Sequence, residues 1–119
     1  MRKESSANTL NRNKISNNCG MAYTLDLIGG RWKPTILWSL LNGKLRYSEL
    51  KKSIPDVSER ILVLQLRELE KDGLINRLVY AEVPPRVEYE LTKDGASLQP
   101  MLQIISEWGD IHRPQKTIE

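Results

Sequence analysis

The chain has 119 residues with one cysteine, one histidine and a net charge of +3, long enough for one compact domain with its own apolar core. With only Cys19 and His112 available, an intramolecular disulfide and a Cys/His zinc site are both excluded. No apolar run approaches the roughly 18 residues of a membrane span, and no signal-peptide pattern opens the chain, so a cytoplasmic protein with no membrane partner, no metal and no cofactor is expected.

Residues 1–18 are polar, Asn-rich and aperiodic, which predicts a flexible arm ahead of a domain over 19–112, with 113–119 as a short tail. Met21, Leu25 and Ile28 recur at spacings of four and three, the mark of a short helix that Gly29-Gly30 ends. Trp32, Ile36, Leu37, Leu40 and Leu41 then form one stripe of a second helix. Pro34 falls in its first turn, where a missing N–H costs nothing. A short helical stretch over 47–53 follows, interrupted by Ile54-Pro55-Asp56-Val57.

Ser58 reads as the cap of a longer helix over 59–72, with Glu59 well placed against the helix dipole and Gly73 as the stop. Leu62, Leu66 and Leu69 make its apolar stripe. After Gly73 the period changes to two: Val87, Tyr89 and Leu91 alternate with Arg86, Glu88 and Glu90. A partner strand is expected over 74–80, joined through the projecting loop that contains Pro84 and Pro85. Thr92 is expected to cap one last helix carrying Leu98, Met101, Leu102, Ile105 and Trp108. The predicted order is mainly α with a small β-hairpin, a helix-turn-helix followed by a wing.

Charge is uneven along this order: residues 1–30 carry +2, residues 31–60 carry +4 and residues 61–119 carry −3. A polyanion would dock on the basic first half; a chance asymmetry of a solvated surface fits the charge alone equally well. If the leucine stripe of the 59–72 helix faces the core, Glu59, Arg60, Val63, Leu64 and Arg67 face outward. Recognition helices put their first turns into the major groove, so Ser58, Glu59, Arg60, Val63 and Leu64 become the base-edge candidates for double-stranded DNA. Arg60 suits guanine, Glu59 suits cytosine N4, and Val63 suits a thymine methyl. Val63 and Leu64 could equally pack against the preceding helix, and Arg67 could simply pair with Glu70.

Lys44, Arg46, Tyr47, Ser48 and Lys51 gather at the preceding helix, where N–H groups and cations hold phosphates, or where Ser48 is an ordinary cap. Arg86 at the wing base could reach the minor groove or its phosphates, or pair with Glu88 or Glu90. Met101, Ile104, Ile105, Trp108 and Ile111 exceed what one small core needs. With Met21 and Leu25 they are candidates for a homodimer interface, an intrachain core being the alternative.

Several stretches resemble the HxlR-type regulators, a winged-helix family of bacterial transcription factors related to the MarR group. They are Leu27-Ile28-Gly29-Gly30-Arg31-Trp32-Lys33, Arg46-Tyr47-Ser48-Glu49-Leu50, Leu66-Arg67-Glu68-Leu69-Glu70-Lys71-Asp72-Gly73-Leu74-Ile75, and a last stretch with the core Pro84-Pro85-Arg86-Val87-Glu88-Tyr89. The resemblance implies a homodimer built from terminal helices, with one wing and one recognition helix per subunit, on a palindromic operator. Family members often carry Thr at the position of Val63 and polar residues at that of Leu64, so no base preference is carried over. The resemblance also makes Cys19, just before the first helix where the dipole favours a thiolate, a candidate sensor of oxidants or electrophiles. An inert thiol is its alternative, and Gly20 stands where the family commonly has proline. A winged-helix protein-interaction module is the competing function. An enzyme built on Cys19 and His112 lacks any orienting third group. A small-molecule effector is left open.

Overall fold

The computed structural model describes residues 19–114, so the expected arm over 1–18 and most of the expected tail lie outside the described residues. The elements run α1 (Gly20–Ile28), α2 (Trp32–Ser39), β1 (Leu45–Arg46), α3 (Tyr47–Ser53), α4 (Glu59–Lys71), β2 (Ile75–Tyr80), β3 (Arg86–Leu91), α5 (Lys93–Ala96) and α6 (Gln99–His112).

The predicted stripes of α2 and α4 form the core, whereas Met21 and Leu25 of the α1 stripe and Ile105 and Trp108 of the α6 stripe are exposed. Ile36 and Leu37 of α2, Leu50 of α3, Leu62, Leu66 and Leu69 of α4, and Ile75 and Tyr89 of the sheet are all buried together. Ile54 and Val57, in the turn between α3 and α4, are buried as well, so the turn is anchored by its own side chains. The Ser58 hydroxyl accepts the Ile61 N–H at 3.2 Å and starts α4 as its sequence position suggested. At the other end Asp72 is the cap. Gly73 adopts φ +78°, its N–H bonding the Glu70 carbonyl at 3.0 Å while Leu74 N–H bonds the Leu69 carbonyl at 3.0 Å. This pair of bonds is a Schellman stop, and its left-handed residue favours glycine. A buried Leu74 then leads the chain straight into β2.

Two expectations about elements are corrected. The sheet has three antiparallel strands in the order β1-β3-β2, not a lone hairpin, with Leu45 opposite Tyr89 and Arg46 opposite Glu88. A two-residue strand carries no period, so no pattern could announce it. The hairpin itself pairs Ile75 with Leu91 through to Tyr80 with Arg86. The second correction concerns Thr92. Its hydroxyl does accept a helix N–H, that of Gly95, at 3.0 Å, but the helix it caps ends at Ala96 and α6 starts afresh at Gln99. Pro100 explains the break, because it cannot donate to the Ala96 carbonyl and its ring would collide with it. In the first turn of a new helix the same residue is tolerated.

Gly95 is buried where α5 crosses the end of β2's entry: a side-chain carbon there would collide with the Leu74 carbonyl oxygen and press on Leu91. Gly95→Ala is therefore expected to lose about 1–3 kcal/mol of stability through overpacking. Gly109→Ala, whose added carbon meets nothing within 4 Å, is expected to hold or gain up to about 1 kcal/mol from helix propensity. Urea unfolding of the two variants checks the contrast.

Candidate nucleic-acid interface

With Leu62, Leu66 and Leu69 turned inward, α4 presents Glu59, Arg60, Leu64 and Arg67 to solvent and leaves Val63 half-buried. These residues and Tyr47 of α3 line one open concavity of about 720 Å³. The Tyr47 hydroxyl lies 3.5 Å from the Glu59 carboxylate and donates to it, bracing the start of α4 against α3. Among the described residues, neither Arg60 nor Arg67 enters an ion pair, so the alternative partner Glu70 is not used. Lys33, by contrast, is committed: its ammonium sits 2.7 Å from Glu68 and ties α2 to α4.

A second concavity adjoins the first and shares Tyr47. Arg46 and Ser48 at the start of α3 face Pro84, Pro85 and Arg86 of the wing across it. The β1–β3 pairing is what brings these segments together. α3 begins at Tyr47 with Arg46 as its cap residue, and the Glu49 carboxylate takes the Arg46 N–H at 2.8 Å. Ser48 is thus inside the first turn with an exposed side chain and is not the cap. Lys51 donates to the Pro55 carbonyl at 3.2 Å and so steadies the turn.

Arg86 of the wing is held. The Arg86 guanidinium stacks over the Tyr80 ring at 4.1 Å and pairs with Glu82 at 3.2 Å and Glu88 at 3.4 Å. Of the two acids weighed for it, Glu88 is the one used. Lys44 completes the group, donating to the Tyr80 hydroxyl at 3.4 Å and lying 3.8 Å from Glu88. The bond to Tyr80 and then the Glu88 charge raise the Lys44 ammonium above its ordinary value. Tyr80 and Glu82 escaped the reading of the sequence; the register Tyr80 opposite Arg86 was the signal, and it required the loop length to be known.

The HxlR-like helix-turn-helix family profile matches residues 27–117. The chain belongs to that family. It is 47% identical over 95 residues to the Bacillus subtilis HTH-type transcriptional regulator YdeP, covering 80% of this chain and 74% of that one. To YtcD of the same organism it is 50% identical over 95 residues, covering 80% and 75%. Among solved structures, the redox regulator HypR in its oxidized form is similar at a TM-score of 0.78 and 44% identity, covering 82% of this chain and 100% of that one. The reduced form of the regulator YodB from B. subtilis is similar at a TM-score of 0.69 and 33% identity, covering 82% and 96%. This HxlR-like chain is thus a helix-turn-helix transcriptional regulator, from a family of regulators rather than enzymes. No helix among the described residues is long and apolar enough to cross a membrane.

Other candidates lie away from these concavities. Cys19 is exposed at the N-cap of α1, its carbonyl accepting the Tyr23 N–H at 2.9 Å. Met21 and Leu25 on α1, and Ile104, Ile105, Trp108 and Ile111 on α6, are exposed, whereas Met101 is half-buried against this chain's own core.

Burial, and next the Glu59 charge, raise the Tyr47 phenol above its ordinary value of 10.0. A group whose folded value is raised contributes stability that is complete below the unfolded value and is lost as pH rises through the folded one. Tyrosinate absorbance, taken as the difference between wild type and Tyr47→Phe, should therefore show Tyr47 ionising late. Glu59→Gln should bring that ionisation back toward the ordinary range.

Proposed function

We propose that the chain is a homodimeric, sequence-specific binder of double-stranded DNA that reads a palindromic operator through α4. The observation that carries this reading is the outward face of α4, where two arginines that enter no ion pair among the described residues flank a concavity while the opposite face is sealed into the core. Ser58, Glu59 and Arg60 lie in the first turn, with Arg60 suited to a guanine edge and Glu59 to a cytosine amine. Arg46, Tyr47, Ser48 and Lys51 of the preceding helix take the flanking phosphates, together with Lys44. Arg86 takes a phosphate or the minor-groove edge when Glu82, itself half-exposed, yields its place.

The dimer forms through α1 and α6. α1 buries only Ile28 and α6 only Leu102, while Met21, Leu25, Ile104, Ile105, Trp108 and Ile111 remain exposed. Met101 supports that surface from beneath. Two-fold symmetry then sets half-sites about one helical turn apart, on the order of 34–36 Å.

Binding to a nonspecific duplex, followed by fluorescence anisotropy at two salt concentrations, should weaken steeply as salt rises. Arg60→Ala should cost about 1–3 kcal/mol at one base position, while Lys51→Ala weakens all sequences alike. Ile111→Glu should shift the protein toward monomer in sedimentation and weaken binding with it. Absence of binding, or binding indifferent to salt, would favour the protein-interaction module instead.

An oxidant or electrophile acting on Cys19 is the proposed effector. Its support is the thiol's exposure at a helix start, together with the likeness to HypR, described as a redox regulator. As the sequence has one cysteine, the product would be an intersubunit bond, a mixed disulfide or an adduct. Operator affinity of wild type is expected to change on oxidant treatment while Cys19→Ser stays constant; the same response in both would sink the idea.

A further inference from the structure

Leu64 is the one large apolar side chain of α4 left exposed, at 46%. It lies on the face that carries Arg60 and Arg67, beside a half-buried Val63 and within the concavity that Tyr47 enters from α3. The concavity thus has an aliphatic and aromatic floor with a charged rim of Glu59, Arg60 and Arg67. Its aliphatic part, Val63 and Leu64, offers no hydrogen bond, so it has nothing to give a phosphate or a polar base edge. The apolar group that base pairs present to the major groove is the C5-methyl of thymine.

The spacing agrees with that partner. Arg60 and Arg67 are two helical turns apart, about 10.5 Å along the axis at 1.5 Å per residue, and that span covers roughly three base steps of 3.4 Å. Leu64 lies between them, so a methyl seated on it belongs to a base inside the stretch that the two guanidiniums bracket. Glu59 is drawn toward the Tyr47 hydroxyl at 3.5 Å, which holds its charge at the N-terminal rim. The cations supply the attraction for the duplex, and the floor supplies a contact that only a methylated pyrimidine completes.

We infer that Leu64, with Val63 and Tyr47, forms a seat for a thymine C5-methyl and sets specificity at one position of each half-site. The inference rests on α4 being the DNA-reading helix. Duplexes enriched from a random pool by the wild-type protein provide the substrate, and each thymine of the enriched half-site is replaced in turn by deoxyuridine. Uracil keeps every hydrogen-bonding group and lacks only the methyl.

Wild type is expected to lose about fourfold in affinity at one thymine per half-site, and about fifteenfold when both half-sites are changed, the worth of one buried carbon each. Leu64→Ala, a truncation at an exposed site, should bind the thymine and uracil duplexes alike, and Val63→Ala should narrow the difference. An enriched duplex indifferent to uracil overturns the inference alone, as does a Leu64→Ala protein that still distinguishes the two. A pool with no enriched duplex overturns the reading of α4 itself and the inference with it.

Discussion

The three leucines on the inner side of α4 hold the rest of the molecule in register. Leu62, Leu66 and Leu69 are buried against α2, α3 and the sheet, each at a site where burial of a leucine is worth about 1.5–3 kcal/mol. A helix turns about 100° per residue, so slipping this one by a single position would drive a polar or charged residue inward and bring a leucine out. The outward set of Glu59, Arg60, Leu64 and Arg67 is therefore a by-product of core packing. Both ends of α4 reinforce the choice. The Ser58 cap decides where it starts, and the Schellman stop at Gly73 delivers Leu74 and Ile75 directly into the core.

The sheet does for the wing what the leucines do for α4. β3 is the central strand, with Tyr89 buried beneath it, and β1 pairs on its free side. Because β1 runs straight into α3, this short pairing carries the first turn of the helix-turn-helix to the wing. Glu88 is the electrostatic counterpart of that pairing. Half-buried on β3, it faces Arg86 from its own strand and Lys44 from just before β1. Arg86 and Lys44 are thereby neutralised locally, whereas Arg60 and Arg67 of α4 enter no ion pair among the described residues. The net basic balance of residues 31–60 thus overstates the number of free positive groups, since Lys33 is spent on Glu68.

Elements with several repeats of a period, or with a chemically distinct stop, were legible in the chain. α4 had a stripe, a cap and a glycine, and it is found within a residue of its expected end; β3 had clean alternation. β1 had two residues and no pattern, and it exists because Tyr89 and Glu88 offered an unpaired edge. The split between α5 and α6 was legible in principle, since Pro100 forbids a continuous helix, but the apolar spacing from Leu98 onward masked it. For the site, the outward direction of Arg60 and Arg67 followed from the leucines alone. The link from Tyr47 to Glu59, and the enclosure of Arg86 by Tyr80, Glu82 and Glu88, depend on how two helices cross and where a hairpin turns. Neither quantity is written in a local pattern.

The terminal helices differ from α4 in kind. α4 has thirteen residues and buries three leucines, so tertiary packing supports it. α1 has nine residues and buries one, and α6 has fourteen and buries one. Helices this short are marginal in water on propensity alone and depend on an apolar face being covered. On α6 the Trp108 ring stacks on His112 at 4.0 Å, and the His112 Nδ1 lies 2.8 Å from the Trp108 carbonyl, which orders the last turn without covering its apolar side. Those exposed faces are the physical ground for the dimer proposed above. A second copy would cover them and, by the same contact, set the distance between two copies of α4. On that reading the stability of the terminal helices and the spacing of the half-sites are one quantity, because a substitution that uncovers α6 also releases the partner's reading helix.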